Sequence, residues 1–425
     1  MRFAMSLLFA AIVCFAQDSF EHVLQFSRVR QRMTETLNHL PDFTCVATAQ
    51  RSLQRAKQND FKLIDTIRYE VAHSGGKELW SWPGAPRFQD TPLTQMIQNG
   101  AISVGDFASH ARSVFSDNVA TVKYFGPEEL DGRQTLRWDY KIPLLVSGWR
   151  IAYASQSELV AARGSFWIDP DTLDVARLQV EADGISPEFP VTTVVTTIDY
   201  ARTRIGQMDV LLPQSAVLLE QISGERTKNI TEFSHCRQYS GQSAISFDVR
   251  SDVGPTPAGK KIEEVALAPG LTAHIKLISA IGSDGVIGDP LQATVASDIV
   301  HRGEILVPKG AAITGRIRRI EKHDEGPYFI IGIEFDDIDF PGHHARFFAS
   351  LKNLEQDTRD LQFFMDLGGM KFETSEGITK ITVERSLHLG EVAGVGTFFM
   401  KGSRFRIPEG TIMVWETVAE ASAPK

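Results

Sequence analysis

Three local groupings along this chain carry side chains that could do chemistry. The run Glu334-Phe335-Asp336-Asp337-Ile338-Asp339-Phe340, followed by His343 and His344, supplies ligand types that suit a divalent metal. Its alternation of Ile333, Phe335 and Asp337 is also that of a hairpin arm running into Phe340-Pro341-Gly342. Adjacent histidines on a strand point to opposite faces, so the hairpin reading is preferred and no metal is assigned. Arg316, Arg318 and Arg319 form a short basic run on a predicted strand, which reads as a solvated or partner-facing edge. Asn229-Ile230-Thr231 matches a glycosylation acceptor and is given no weight. No nucleophile elbow, zinc-protease helix, phosphate loop or dinucleotide fingerprint occurs. The chain is therefore expected not to be an enzyme, with no catalytic residue, metal or cofactor assigned.

The cysteines carry the firmest residue-level expectation, and it depends on address. Met1-Arg2 is a short basic start, and Phe3 to Phe15 is an apolar run of secretory length ending at Ala16. A signal peptide over 1–16 with cleavage after Ala16 removes Cys14. Val13 also lies where lipoprotein processing needs a small residue, so a lipid-modified Cys14 is disfavoured. Cys45 and Cys236 then remain, an even number in an oxidising compartment, and are expected to form a disulfide. Neither lies in a Cys-x-x-Cys, so a redox catalyst is not expected.

Bulk properties bound the rest. A chain of 425 residues exceeds what one core normally organises, so two domains are expected. A net charge of −9 disfavours a nucleic-acid partner, because phosphate binding needs a concentrated basic surface. No second long apolar segment follows the first, and no transmembrane helix is expected in the mature chain.

The elements that must position these residues follow from periodicity. Phe26, Val29, Met33, Leu37 and Leu40 recur at three- and four-residue spacing, which predicts an amphipathic helix over 17–40 that Pro41 stops. The period then changes to two, with strands predicted from Cys45 and from Phe61 and a turn at Ser74-Gly75-Gly76-Lys77. Helices are predicted over 91–100 and 104–115. Strands resume through Leu136-Trp138-Tyr140, Trp149-Ile151-Tyr153 and Ser165 to Ile168, and continue to Tyr239. The fold class is mainly β with a few helices (α+β): a curved antiparallel sheet closed by helices over 17–250, a Pro/Gly-rich linker over 251–260, and a small β-barrel or sandwich over 261–425.

The first domain, through its element order and the phrase Gly164-Ser-Phe-Trp-Ile-Asp-Pro-Asp-Thr-Leu173 with Val175-Ala-Arg-Leu178, resembles the periplasmic lipoprotein carriers and related half-barrels. The resemblance implies an apolar groove, for which Trp138, Tyr140, Trp149, Tyr153 and Trp167 are the candidate lining. The second domain resembles the β-barrel of envelope scaffold proteins of type IV secretion and conjugation systems. The similarity lies in Leu267-Ala-Pro-Gly to Leu277, Ile281 to Val295, and Val307-Pro-Lys-Gly310, echoed by Ile407-Pro-Glu-Gly410. Gly310 and Gly410 are expected in corresponding turns at positive φ. This chain lacks that family's Pro-rich arm and N-terminal anchor, and adds a loop-like segment over 353–371, so a secretion role does not transfer with the fold.

The preferred reading is an exported, non-catalytic envelope protein in the periplasm or associated with the outer membrane, acting as a binding or scaffold module. Its expected partners are other envelope proteins or an apolar ligand. The alternatives are a periplasmic carrier of lipid or lipoprotein in an apolar groove, and a hydrolase with a dispersed site. The interior of the first domain separates them: apolar and open, filled, or polar with converging carboxylates.

Overall fold

The computed structural model describes residues 3–419 except 86, 89–92, 98–99, 117–118, 155, 239–261, 324–327, 356–362 and 366–393; for 3–20, 355 and 363–365 it describes backbone alone. The linker over 251–260 and most of 353–371 lie outside the described residues, as do the side chains of the proposed signal peptide.

By contacts the chain divides into two units: Met1–Lys62, Glu70–Trp80 and Phe88–Ser243, and then Leu63–Tyr69, Ser81–Arg87 and Ala244–Lys425. The first unit opens with helix α1 (Phe3–Asn38), which buries Val29, Met33 and Leu37. That four-residue spacing is the one the sequence shows, and the helix ends three residues before Pro41.

Strands β1 (Phe43–Gln54), β2 (Lys62–Ser74) and β3 (Lys77–Ser81) are followed by the short helices α2 (Leu93–Met96) and α3 (Ser109–Phe115). Next come β4 (Thr121–Leu130), β5 (Arg133–Ile142), helix α4 (Leu144–Ser147), β6 (Arg150–Tyr153) and β7 (Gln156–Leu159). The unit finishes with β8 (Ala161–Ile168), β9 (Val175–Asp183), β10 (Val191–Ile205), β11 (Met208–Ile222) and β12 (Glu225–Gln238). Ten of these strands form one strongly curled half-barrel sheet in the order β3-β2-β1-β12-β11-β10-β9-β8-β5-β4. The pair β6–β7 stands outside it as a separate hairpin. Alternation of Trp149, Ile151 and Tyr153 predicted a strand without revealing which sheet it would join. The two predicted helices are shorter than periodicity implied. Residues 104–108 serve as a loop, because Gly105 (φ +90) interrupts the helical pattern.

Cys45 and Cys236 are disulfide-bonded, their Cα atoms 4.1 Å apart. They face each other where the β1–β12 register shifts, beside His235 at φ +52. The bulge sets the two cysteines against each other on strands that are already paired along their length.

In the second unit one sheet runs from His343–Arg346 through Tyr328–Phe340, Ala312–His323, Pro290–Val295, Thr272–Leu277 and Ile412–Thr417 to Ala349–Glu355. Val395–Lys401 pairs with the first half of Tyr328–Phe340. The sheet curls so far that a Cβ on Gly396 would sit 2.5 Å from the Leu351 Cβ and 2.6 Å from the Trp415 ring. Its interior is continuous and apolar, with Phe335, Phe398, Met413 and Trp415 fully buried. Leu63–Tyr69, the middle of β2, belongs by contacts to this unit: Ile67 forms a parallel bridge with Ile287, and Arg68 pairs with Asp289.

Candidate binding site on the curved sheet

Alternation puts one row of each strand inward. Trp138, Tyr140 and Ile142 of β5 are buried, as are Phe166 and Ile168 of β8, Leu178 and Val180 of β9, and Val194, Ile198 and Tyr200 of β10. Helix α1 and the segment 100–116 cover this face. The Phe166 ring is the hub: Phe26 of α1 lies 5.9 Å away, Phe115 of α3 5.0 Å, and Trp138 stacks parallel at 5.7 Å. Phe107 of the covering segment meets Phe233 edge-on at 4.6 Å. Such contacts contribute about 0.5–1.5 kcal/mol each beyond area burial.

The cover is also fastened by polar bonds. Asn229 of β12, buried, donates from Nδ2 to the Ala101 carbonyl at 2.5 Å. The Ala108 amide donates to the Glu78 carboxylate at 3.1 Å, and the Ser103 hydroxyl to Asp106 at 2.8 Å. Arg112 donates to the Leu37 carbonyl at 3.0 Å, and Thr34 to the Phe115 carbonyl at 3.2 Å, tying α3 to α1.

These fasteners include ionisable groups with displaced proton affinities. Burial pushes the Glu78 carboxyl up to about 7, and the neighbouring Asp106 charge adds to the shift. Amide bonds from Ala108, Gly105 and Ser109 oppose it. Burial also raises Asp106 to about 6, against the bond from Ser103, and lowers His110 to about 4. Tyr200 lies close enough to feel both acids, which raise its phenol further after burial. Its hydroxyl is buried and has no hydrogen-bond partner among the described residues. Glu78 and Asp106 can each take up or release a proton near neutral pH, whereas the Tyr200 phenol stays protonated; the Glu78 carboxylate is at the same time occupied by the backbone of the cover.

The structure separates the five candidate groove residues. Trp138 and Tyr140 share the covered face, and the Tyr140 hydroxyl donates to the Gln179 carbonyl at 2.9 Å. Trp167 follows Phe166 directly and so points to the opposite face, with the Arg137 guanidinium 5.4 Å above its ring. Trp149 stands edge-on to His110 at 5.4 Å, against the smaller core of Ile151, Val160 and Val191. Tyr153 is exposed on the β6–β7 hairpin. Sequence reasoning missed Phe26, Phe115 and Phe166 as one cluster, and Glu78, Asp106 and Tyr200 as another. The first had its signal in the period-two and period-four patterns taken together. The second had none, because its members come from a hairpin, a loop and a distant strand.

The acidic run and its histidines lie on two paired strands and are engaged in ion pairs. Arg318 donates to Glu334 at 2.7 Å, Arg316 to Asp336 at 2.9 Å, and His344 meets Asp339 at 2.9 Å. Among the described residues no group of three or more His, Cys, Asp or Glu is placed to hold a metal ion. Gly310 and Gly410 have φ of +88° and +85°. Each is the third residue of a turn closed by the amide of Ala311 onto Pro308, or of Thr411 onto Pro408.

No protein-family model matches the chain, and no curated protein matches it. Among solved structures it is similar to a DUF1329 family protein from Desulfovibrio piger, at 13% identity over 53% of this chain and 96% of the other, with a TM-score of 0.32. It is similar too to a domain described as an outer membrane lipoprotein-sorting protein from Vibrio parahaemolyticus, at 13% identity over 51% and 92%, with a TM-score of 0.29.

Proposed function

We propose that the first domain is a non-catalytic carrier that binds an apolar, lipid-like ligand on the inner face of its curled sheet, beneath α1 and the segment 100–116, in the cell envelope. The observation that carries this reading is the mismatch between the two surfaces. The sheet presents a continuous apolar face, whereas the polar bonds that fasten the cover to it are few and discrete, at Asn229 and Glu78. Displacing the cover breaks those bonds and the ring contacts of Phe26, Phe115 and Phe107, and the apolar area it exposes is area that a hydrocarbon chain can cover again, which offsets the cost of opening. The disulfide keeps β1 and β12 joined while this happens.

The test is saturable binding of an environment-sensitive naphthylamine dye, displaced by phospholipid, with native mass spectrometry reading stoichiometry. One displaceable site is expected; absence of both dye binding and retained lipid would sink the reading. Cysteines introduced at Phe107 and Phe233, whose ring centroids lie 4.6 Å apart, and joined by a short bifunctional thiol crosslinker would lock the cover, which is expected to abolish binding.

The scaffold reading attaches to the second domain, and one observation favours it. Val300 and Ile305, opposite each other on a small two-stranded hairpin, are both exposed and offer an apolar patch for another envelope protein.

A further inference from the structure

We propose that the turn after β5 is a membrane-docking tip that seats on an anionic lipid surface. Leu144, Leu145 and Val146 are 46%, 94% and 49% exposed, the longest consecutive run of exposed large apolar side chains among the described residues. None of the residues of α4 is buried, so none of the three contributes to a core. Leaving three adjacent aliphatics in water gains nothing for folding.

The turn is nevertheless held rigidly. The Val146 amide donates to the Pro143 carbonyl at 3.1 Å, and Ser147 bonds through its hydroxyl to the Val160 carbonyl. The Val160 amide returns a bond to Trp149 at 2.9 Å, and Gly148 closes the turn at φ +63°, where a Cβ is disfavoured. A tip fixed before contact loses little conformational entropy on docking.

Charge identifies the occupant. Lys141 and Arg150 flank the apolar run on either side, and both are exposed. Neither has an acidic partner among the described ion pairs. Arg163, opposite Lys141 in the β5–β8 register, is paired with Glu181 and Asp183 and so draws those acids away from the lysine. Half-buried Trp149 follows the tip directly in the chain and adds an amphipathic ring to it. A convex aliphatic tip rimmed by free cations matches an anionic bilayer, where the side chains enter the acyl boundary and the cations meet phosphates. The whole chain carries −9, so an anionic surface repels the molecule in general and admits it through this local pair. The inference does not rest on what the inner face of the sheet holds.

Vesicle flotation tests it, with the full chain and variants sharing one N-terminus, so that the apolar run at Phe3–Phe15 contributes equally throughout. Wild type is expected to float with vesicles of phosphatidylglycerol and phosphatidylcholine in about equal parts, and less with phosphatidylcholine alone. Leu145→Ser should weaken binding by about tenfold or more while leaving the melting temperature unchanged, since the side chain touches no core. A double variant, Lys141→Gln with Arg150→Gln, should lose the preference for phosphatidylglycerol and the sensitivity to salt. Ile278→Ser, at an exposed apolar side chain elsewhere, should bind as wild type does. Failure of wild type to float, or equal flotation of Leu145→Ser, would overturn the proposal. So would sedimentation showing that Leu145→Ser abolishes self-association in the absence of vesicles, which would make a second copy of the chain the occupant.

Discussion

Both domains must cover one face of a sheet, and they do so by different means. The barrel covers itself: its sheet curls until Gly396 abuts Leu351 and Trp415, and its interior is filled by side chains of its own strands. Its charges are held on the strands in Arg316–Asp336 and Arg318–Glu334 pairs. The half-barrel stops short of closure and borrows a helix and a loop, joined to it through buried polar groups. The barrel's own displaced carboxylate, Glu321, is buried, yet bonds and charge from His323 and Arg319 lower it to about 2, so its contribution is lost only in acid. A borrowed cover inherits the proton affinities of the groups that fasten it.

The comparison is broken most forcefully at the disulfide. Replacing Cys45 and Cys236 with serine should destabilise the first domain by up to ~5 kcal/mol in the chain-entropy picture and leave the barrel unaffected. Denaturant melts followed by probes in each domain should show one transition moving and the other fixed; a common shift would mean the two stabilities are linked.

The second prediction concerns pH. Glu78 rises to about 7 from an ordinary value near 4.5, and Asp106 to about 6 from 3.8. Their protonated forms are favoured in the folded state. That contribution is full below about pH 4 and is lost as pH rises through 6 and 7. His110, lowered to about 4, works oppositely: its contribution is present above pH 6.5 and lost towards pH 4. Glu78→Gln removes one acid and should be more stable than wild type by about 2 kcal/mol at pH 8, with the advantage vanishing near pH 4. Parallel stability curves for the two proteins across that window would refute the assignment.

Gly310→Val and Gly410→Val sharpen the barrel side. Both glycines sit at positive φ with nothing closer than 3.8 Å to a built Cβ, so the cost is backbone strain rather than a clash. A loss of more than ~1 kcal/mol confined to the barrel is expected from differential scanning calorimetry. The smallest effect is expected at the surface, where Arg163→Ala removes pairs with Glu181 and Asp183 and should cost less than about 1 kcal/mol.

What the sequence disclosed follows the range of each interaction. The disulfide, the Pro-x-Gly turns and the buried stripe of α1 are written in local types and spacing. The two turns even share an anchor: Gly310 donates to the Val295 carbonyl and Gly410 to the Leu277 carbonyl, while the Val295 and Leu277 amides return bonds to Ala311 and Thr411. The groove residues were harder to place. Trp138 and Trp167 both sit in alternating strands, and only the position of β5 beside β8 decides that Phe166, rather than Trp167, joins Trp138. The acids beneath the cover were not legible, because burial, with the Asp106 charge adding to it at Glu78, gives them their character and no local pattern encodes the burial of a carboxylate.

The strand order has a consequence in time. β1 is hydrogen-bonded to β12, so during synthesis the first strand waits with one open edge while every strand from β4 to β11 is made. The hairpin β2–β3 can form early, but the sheet cannot join its two halves until Glu225–Gln238 has emerged. Such late, non-local pairing is slow, and an open edge recruits other chains in the interval. The Cys45 thiol emerges just as early, ahead of its partner by nearly the whole domain, so oxidation that outruns folding would trap intermolecular disulfides. The rate of closure, more than final stability, would then set how much of this protein is recovered intact.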